Sequence, residues 1–79
     1  MEKQELIDKL STFFRKALAD KEAQIEPEAA MVDLGLSSSG RLELFTMIED
    51  EWDLMLDEDD TDEVETFNDV IALVEKMLA

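Results

Sequence analysis

Neither cysteine nor histidine occurs in this chain. The first absence excludes a disulfide framework and a thiolate metal site. The second removes the usual general base near neutral pH, and with it the common way of activating a serine nucleophile, so a self-sufficient hydrolase is not expected. Long apolar runs are missing too. The N-terminal "MEKQELIDKL" is charged, and no stretch approaches the length needed to span a bilayer. Neither a signal peptide nor membrane insertion is expected, and the expected location is cytoplasmic. Proline appears once, at Pro27, and glycine twice, at Gly35 and Gly40.

Positive charge is scarce as well. The chain carries 22 acids against 7 bases, a formal net charge of −15. The imbalance is local: residues 1–41 hold eight acids and six bases, whereas residues 42–79 hold fourteen acids and one base, Lys76. Such a field repels phosphate backbones and anionic lipid, which makes nucleic acid and membrane surfaces poor partners. It attracts proteins with basic patches and speeds their encounter at low salt. Solubility alone does not require so uneven a distribution, which favours a docking role.

What is present is a foldable chain. Hydrophobic residues make up 46% of it, too many for a disordered acidic tail. Its 79 residues allow one small domain over 1–79. In "QELIDKLSTFFRKALAD", Leu6, Ile7, Leu10, Phe13, Phe14, Ala17 and Leu18 recur at spacings of three and four and predict an amphipathic helix. From Lys21 to Leu36 the periodicity stops; Pro27 and Gly35 mark a long connection expected to pack Ile25, Met31, Val32 and Leu34 against the helices. A second helix is predicted from about Ser38 to Trp52, with Leu44, Phe45, Ile48 and Trp52 in the core. Leu54 and Leu56 are expected to be buried, and Asp57 to cap a short helical turn. Thr66 with Asp69 reads as the start of a last helix that buries Phe67, Val70, Ile71, Val74 and Met77. No strand pattern or internal repeat occurs. The expected fold is all-α, a small four-helix bundle of three main helices and one short one.

The cluster "DEDDTDEVETFN", Asp57 to Asn68, invites comparison with a calcium-binding loop. Counted from Asp57, the sixth position is Asp62 where the EF-hand requires glycine, and the twelfth is Asn68 where it requires a bidentate glutamate. An EF-hand is therefore rejected and no metal site is expected. Loose divalent binding to the crowded carboxylates would relieve their repulsion, an effect on stability alone.

The stretch "VDLGLSSSGRLEL", Val32 to Leu44, holds three consecutive serines at the predicted start of the second helix. Serine is a favoured N-cap, but only one residue can fill that position. With Ser37 as the cap, Ser38 and Ser39 fall in the first turn, where backbone N–H groups and the helix dipole favour negative charge. A phosphate ester on Ser38 suits that environment.

The register Asp33-Leu34-Gly35-Leu36, then Ser38, then Leu42-Glu43-Leu44 resembles the phosphopantetheine attachment region of acyl carrier proteins. "MIEDEWDLML" is similar to that family's passage out of its acidic second helix, and "TFNDVIALVEKML" to its last helix. The resemblance implies a specialised bacterial carrier that holds acyl intermediates as thioesters and shuttles them between enzymes of fatty-acid, polyketide or related biosynthesis. It implies a covalent 4′-phosphopantetheine on Ser38, transferred from coenzyme A by a phosphopantetheinyl transferase with magnesium. Such a protein is a substrate of other enzymes and not itself a catalyst, which accounts for the missing histidine and cysteine together. Leu42, Glu43, Thr46, Met47, Glu49 and Asp50 are then expected to meet acyl-transferring or condensing enzymes with basic docking patches, the carrier itself being monomeric. Met47 is equally well accounted for as core filling.

The chain departs from the family pattern around the serine. Ser37 replaces an aspartate, Ser39 a leucine and Gly40 a common acid, and Arg41 is the only base between Lys21 and Lys76. These changes are expected on the surface that partner enzymes read, and they make Ser37 and Ser39 alternative attachment points. Two rival readings are an unmodified carrier-like helical adaptor and an acidic protein-binding module that occupies a basic site elsewhere.

Overall fold

The computed structural model describes residues 2–79 and arranges them as α1 (Lys3–Leu18), α2 (Ser38–Trp52), α3 (Glu58–Asp62) and α4 (Phe67–Leu78). No strand occurs among the described residues; a single antiparallel bridge pairs Ala30 with Thr66. The fold is the expected small helical bundle. On α1 the stripe buries Leu6, Leu10 and Phe14, with Ile7, Phe13, Ala17 and Leu18 half-buried along its edges. The helix ends where Ala19 turns left-handed (φ 57°) and the Ala19 and Asp20 N–H groups close back on the Lys16 and Arg15 carbonyls at 3.1 and 3.0 Å. That double closure satisfies carbonyls left open by the last turn.

Aromatic edges lock α1 to its neighbours. Phe14 meets Phe67 of α4 at 5.7 Å and 85°, and Phe13 meets Trp52 of α2 at 6.0 Å and 68°. Both are edge-to-face arrangements, which the ring quadrupole favours. The core is completed by Leu44, Phe45 and Ile48 from α2 and by Phe67, Val70, Ile71, Leu73 and Val74 from α4. Trp52, Leu54, Leu56 and Met77 pack against it half-buried.

The α1–α2 connection is stitched down. Met31 N–H donates to the Glu65 carbonyl at 2.8 Å, and Asn68 N–H donates to the Pro27 carbonyl at 3.0 Å, tying the loop to the start of α4. Residues 31–36 form one helical turn closed by Gly35 at φ 100°: Gly35 N–H reaches Val32 O and Leu36 N–H reaches Met31 O, each at 3.1 Å. This six-to-one and five-to-two pattern brings the two flanking apolar residues together. Met31 and Leu36 are accordingly 1% and 5% exposed.

That turn corrects one expectation. Val32 does not pack inward; it is 73% exposed. One helical step of about 100° separates it from buried Met31, and the hydrogen bonds of the turn fix the rotation. Ile25, Met31 and Leu34 do pack as expected.

Candidate functional site

Leu36, buried, leads straight into Ser37, whose backbone is extended (φ −76°, ψ 171°) and whose Oγ accepts the Gly40 N–H at 3.1 Å. Ser37 is therefore the N-cap, and Arg41 N–H donates to its carbonyl at 2.8 Å. Ser38 is the first helical residue, and Ser38 and Ser39 are both exposed. Their N–H groups belong to the first turn and have no carbonyl within the helix to reach. No acid stands in the first turn of α2, although the chain has 22 acids. A serine hydroxyl carrying a phosphate fits here, with free donors beside it and no carboxylate in the turn to repel it.

Gly40 is buried, and here the expectation that the unusual residues all face partners is corrected. A Cβ at Gly40 would stand 2.8 Å from Leu36 Cδ1 and 3.1 Å from the Ala17 carbonyl oxygen. Glycine lets the start of α2 lie against the end of α1, a packing reason that outweighs its low helix propensity. Arg41 also turns away from the outer face: it is half-buried, donates from Nη2 to the Thr61 carbonyl in α3, and stacks 5.2 Å from the Phe45 ring centroid. Of the four unusual residues, Ser37 and Ser39 are exposed beside Ser38, and Ser37 is occupied as the cap.

The structure places the remaining expected contact residues along α2. Ser38, Leu42, Thr46 and Asp50, four apart, are all exposed and form one outward stripe, with Glu43 exposed beside it. Leu42 is 70% exposed, an apolar side chain left in water one turn from the serine. The Thr46 hydroxyl donates to the Leu42 carbonyl at 2.9 Å, and Met47 is half-buried. Glu49 differs from the others. Its carboxylate accepts the Leu56 N–H at 3.1 Å and so shapes the α2–α3 connection. Sequence reasoning missed that role, as well as the burial of Leu36, Val64 and Leu73. For Leu36 a signal existed: an apolar residue directly before an N-cap commonly folds back on the bundle.

The family described as "Phosphopantetheine attachment site" matches residues 8–74. The chain belongs to the acyl carrier protein family. It is 27% identical over 77 residues to the acyl carrier protein of Thermotoga maritima, covering 96% of this chain and 95% of that one. Carriers of this family take phosphopantetheine as their prosthetic group and serve other enzymes without being enzymes themselves. In this carrier no helix among the described residues is long and apolar enough to cross a membrane, and no three acidic side chains gather in a way that would hold a metal ion.

Proposed function

We propose that Ser38 is the attachment point of 4′-phosphopantetheine and that the protein is a cytoplasmic, monomeric, single-domain carrier of acyl intermediates in fatty-acid, polyketide or related biosynthesis. The observation that carries this reading is the division of labour among the three serines. Ser37 is used as the cap, and Ser38 stands exposed at the first helical position, held in register by the Gly35 turn and by Gly40 against α1. When bound, the prosthetic group supplies a flexible chain ending in a thiol that holds an acyl group as a thioester. The protein's own part is to present that hydroxyl, to keep the surrounding turn free of carboxylates and to offer a docking face.

The stripe of Leu42, Thr46 and Asp50, with Glu43 and Met47 beside it, is the proposed face for the transferase and for enzymes that load or use the acyl group. Acidic side chains steer basic partners, and Leu42 adds local apolar contact. A dock of this kind forms fast and releases easily, as a shuttle requires. Glu49 contributes through its charge while its oxygen stays on Leu56.

Intact-mass measurement after incubation with a broad-specificity phosphopantetheinyl transferase, coenzyme A and magnesium tests the reading. One added phosphopantetheine is expected in the wild type, in Ser37→Ala and in Ser39→Ala, and none in Ser38→Ala. Loss in Ser39→Ala with retention in Ser38→Ala would move the site. No gain in any folded variant would favour an unmodified adaptor.

A further inference from the structure

The placement of Arg41 has no counterpart in the docking face. It is the only base between Lys21 and Lys76 and stands at the border of the strongly acidic half of the chain. Yet the ion pairs among the described residues are Lys3–Glu75 and Lys9–Glu51, and Arg41 instead spends a donor on the Thr61 carbonyl and its face on Phe45. Asp62 and Glu65 line the same shallow cleft, with Ala30, Val32 and Val64, without pairing with it in a salt bridge. The partner it does take is informative. Helix α3 has five residues and buries none of them, so it is attached through its flanks, half-buried Leu56 before it and buried Val64 just beyond its end, and through Arg41. The Thr61 carbonyl also accepts the Val64 N–H at 3.1 Å, so Arg41 grips the point where α3 turns into the core.

Arg41 is also one helical turn from Ser38. Side chains three apart on a helix have Cβ atoms about 5–6 Å from each other. The guanidinium has five donors in a rigid fork. One on Thr61 leaves others for an anion beside it, and a phosphodiester, like a carboxylate, matches the planar fork. We propose that Arg41 is a positioning residue that couples the state of Ser38 to α3: a phosphodiester on Ser38 is held by the same guanidinium that holds Thr61, and modification tightens α3 against α2. This rests on Ser38 being the modified residue. A partner that touches both α2 and α3 then meets a different surface before and after modification.

Hydrogen exchange of the Asp60, Thr61 and Val64 amides, which all donate within or just after α3, reads the coupling directly. In the wild type, modification is expected to slow their exchange by about threefold, the scale of one exposed charge-assisted contact. Arg41→Gln, its fold checked by circular dichroism, is expected to exchange faster in both states and to show no slowing on modification. Arg41→Lys, which keeps the charge without the fork, is expected to show less than half of the wild-type slowing. A role confined to holding α3 would shift both states equally and leave the difference intact in Arg41→Gln; that result, or no slowing in the wild type, overturns the proposal. Should the transferase leave the protein unmodified, the attachment reading fails separately, and Ser38→Asp becomes the charge probe. Slowing in Ser38→Asp that disappears in the double variant with Arg41→Gln sustains the coupling, and its absence overturns it.

Discussion

At the third position of α2 stands Gly40, and at the third position of α4 stands Asp69; the N–H of each donates to the hydroxyl of the cap, Ser37 or Thr66, at 3.1 Å. From that shared geometry the two helix starts diverge. In α4 the Asp69 carboxylate reaches back to the Glu65 and Thr66 N–H groups at 3.0 and 3.1 Å, and Phe67 at the first position is buried. The turn is closed: its Asn68 and Asp69 N–H groups are bonded, its anion is built in and its first residue is core. In α2 the third residue packs against α1, the first residue is exposed, and no acid is present. One helix start is finished by the chain itself, and the other is left without an acid of its own. A difference that small at two positions separates a structural cap from a proposed attachment site.

The comparison breaks most visibly at the first position. Phe67→Ala is expected to cost about 3–5 kcal/mol, enough to unfold much of so small a domain. Ser38→Ala is expected to leave the melting temperature within about 3 °C of wild type while abolishing modification. Equal destabilisation by the two changes, measured by thermal unfolding, would contradict the contrast. Next comes the third position. Gly40→Val adds bulk between Leu36 and the Ala17 carbonyl, and overpacking of this kind should cost about 2 kcal/mol, a fall of roughly 10 °C in melting temperature.

Smaller effects belong to the α4 cap. Thr66→Ala is expected to lose about 1 kcal/mol. Hydrogen bonds from the Glu65 and then the Thr66 N–H hold the Asp69 carboxyl below its ordinary value of 3.8. Because the folded value is depressed, Asp69 stabilises the protein above the unfolded value and the gain is lost as pH falls through the folded one. The melting-temperature gap between wild type and Asp69→Asn should therefore be widest near neutrality and close below about pH 3.8. A gap that persists at low pH would place the effect in packing. The smallest change concerns the acidic half as a whole: between about 0.02 and 0.3 M sodium chloride, or with added magnesium, the melting temperature should rise by roughly 2 °C through screening. A flat salt series would mean that repulsion among residues 43–69 is slight in the folded protein.

Much of this was legible in the chain itself. The helix predicted from about Ser38 to Trp52 matches α2, because a serine cap, an apolar period and acidic outer positions all agree there. Thr66 with Asp69 marked the start of α4 for the same reason. The loop before α2 was less readable. Between Lys21 and Leu36 no period assigns residues to a face, so Val32 was expected inside and Leu36 was not singled out, and the hydrogen-bonded turn at Gly35 reversed both.

By itself, then, the sequence determined the charge division directly, and the helical elements, the caps at Ser37, Asp57 and Thr66 and the position of Ser38 in its turn through contacts between residues a few positions apart. Tertiary structure alone decided which way that turn faces. Gly40 lies inward because the Ala17 carbonyl and the Leu36 side chain occupy the space a side chain would need, and Arg41 consequently reaches α3. Those partners lie as far as twenty-three residues away along the chain, and only packing brings them together.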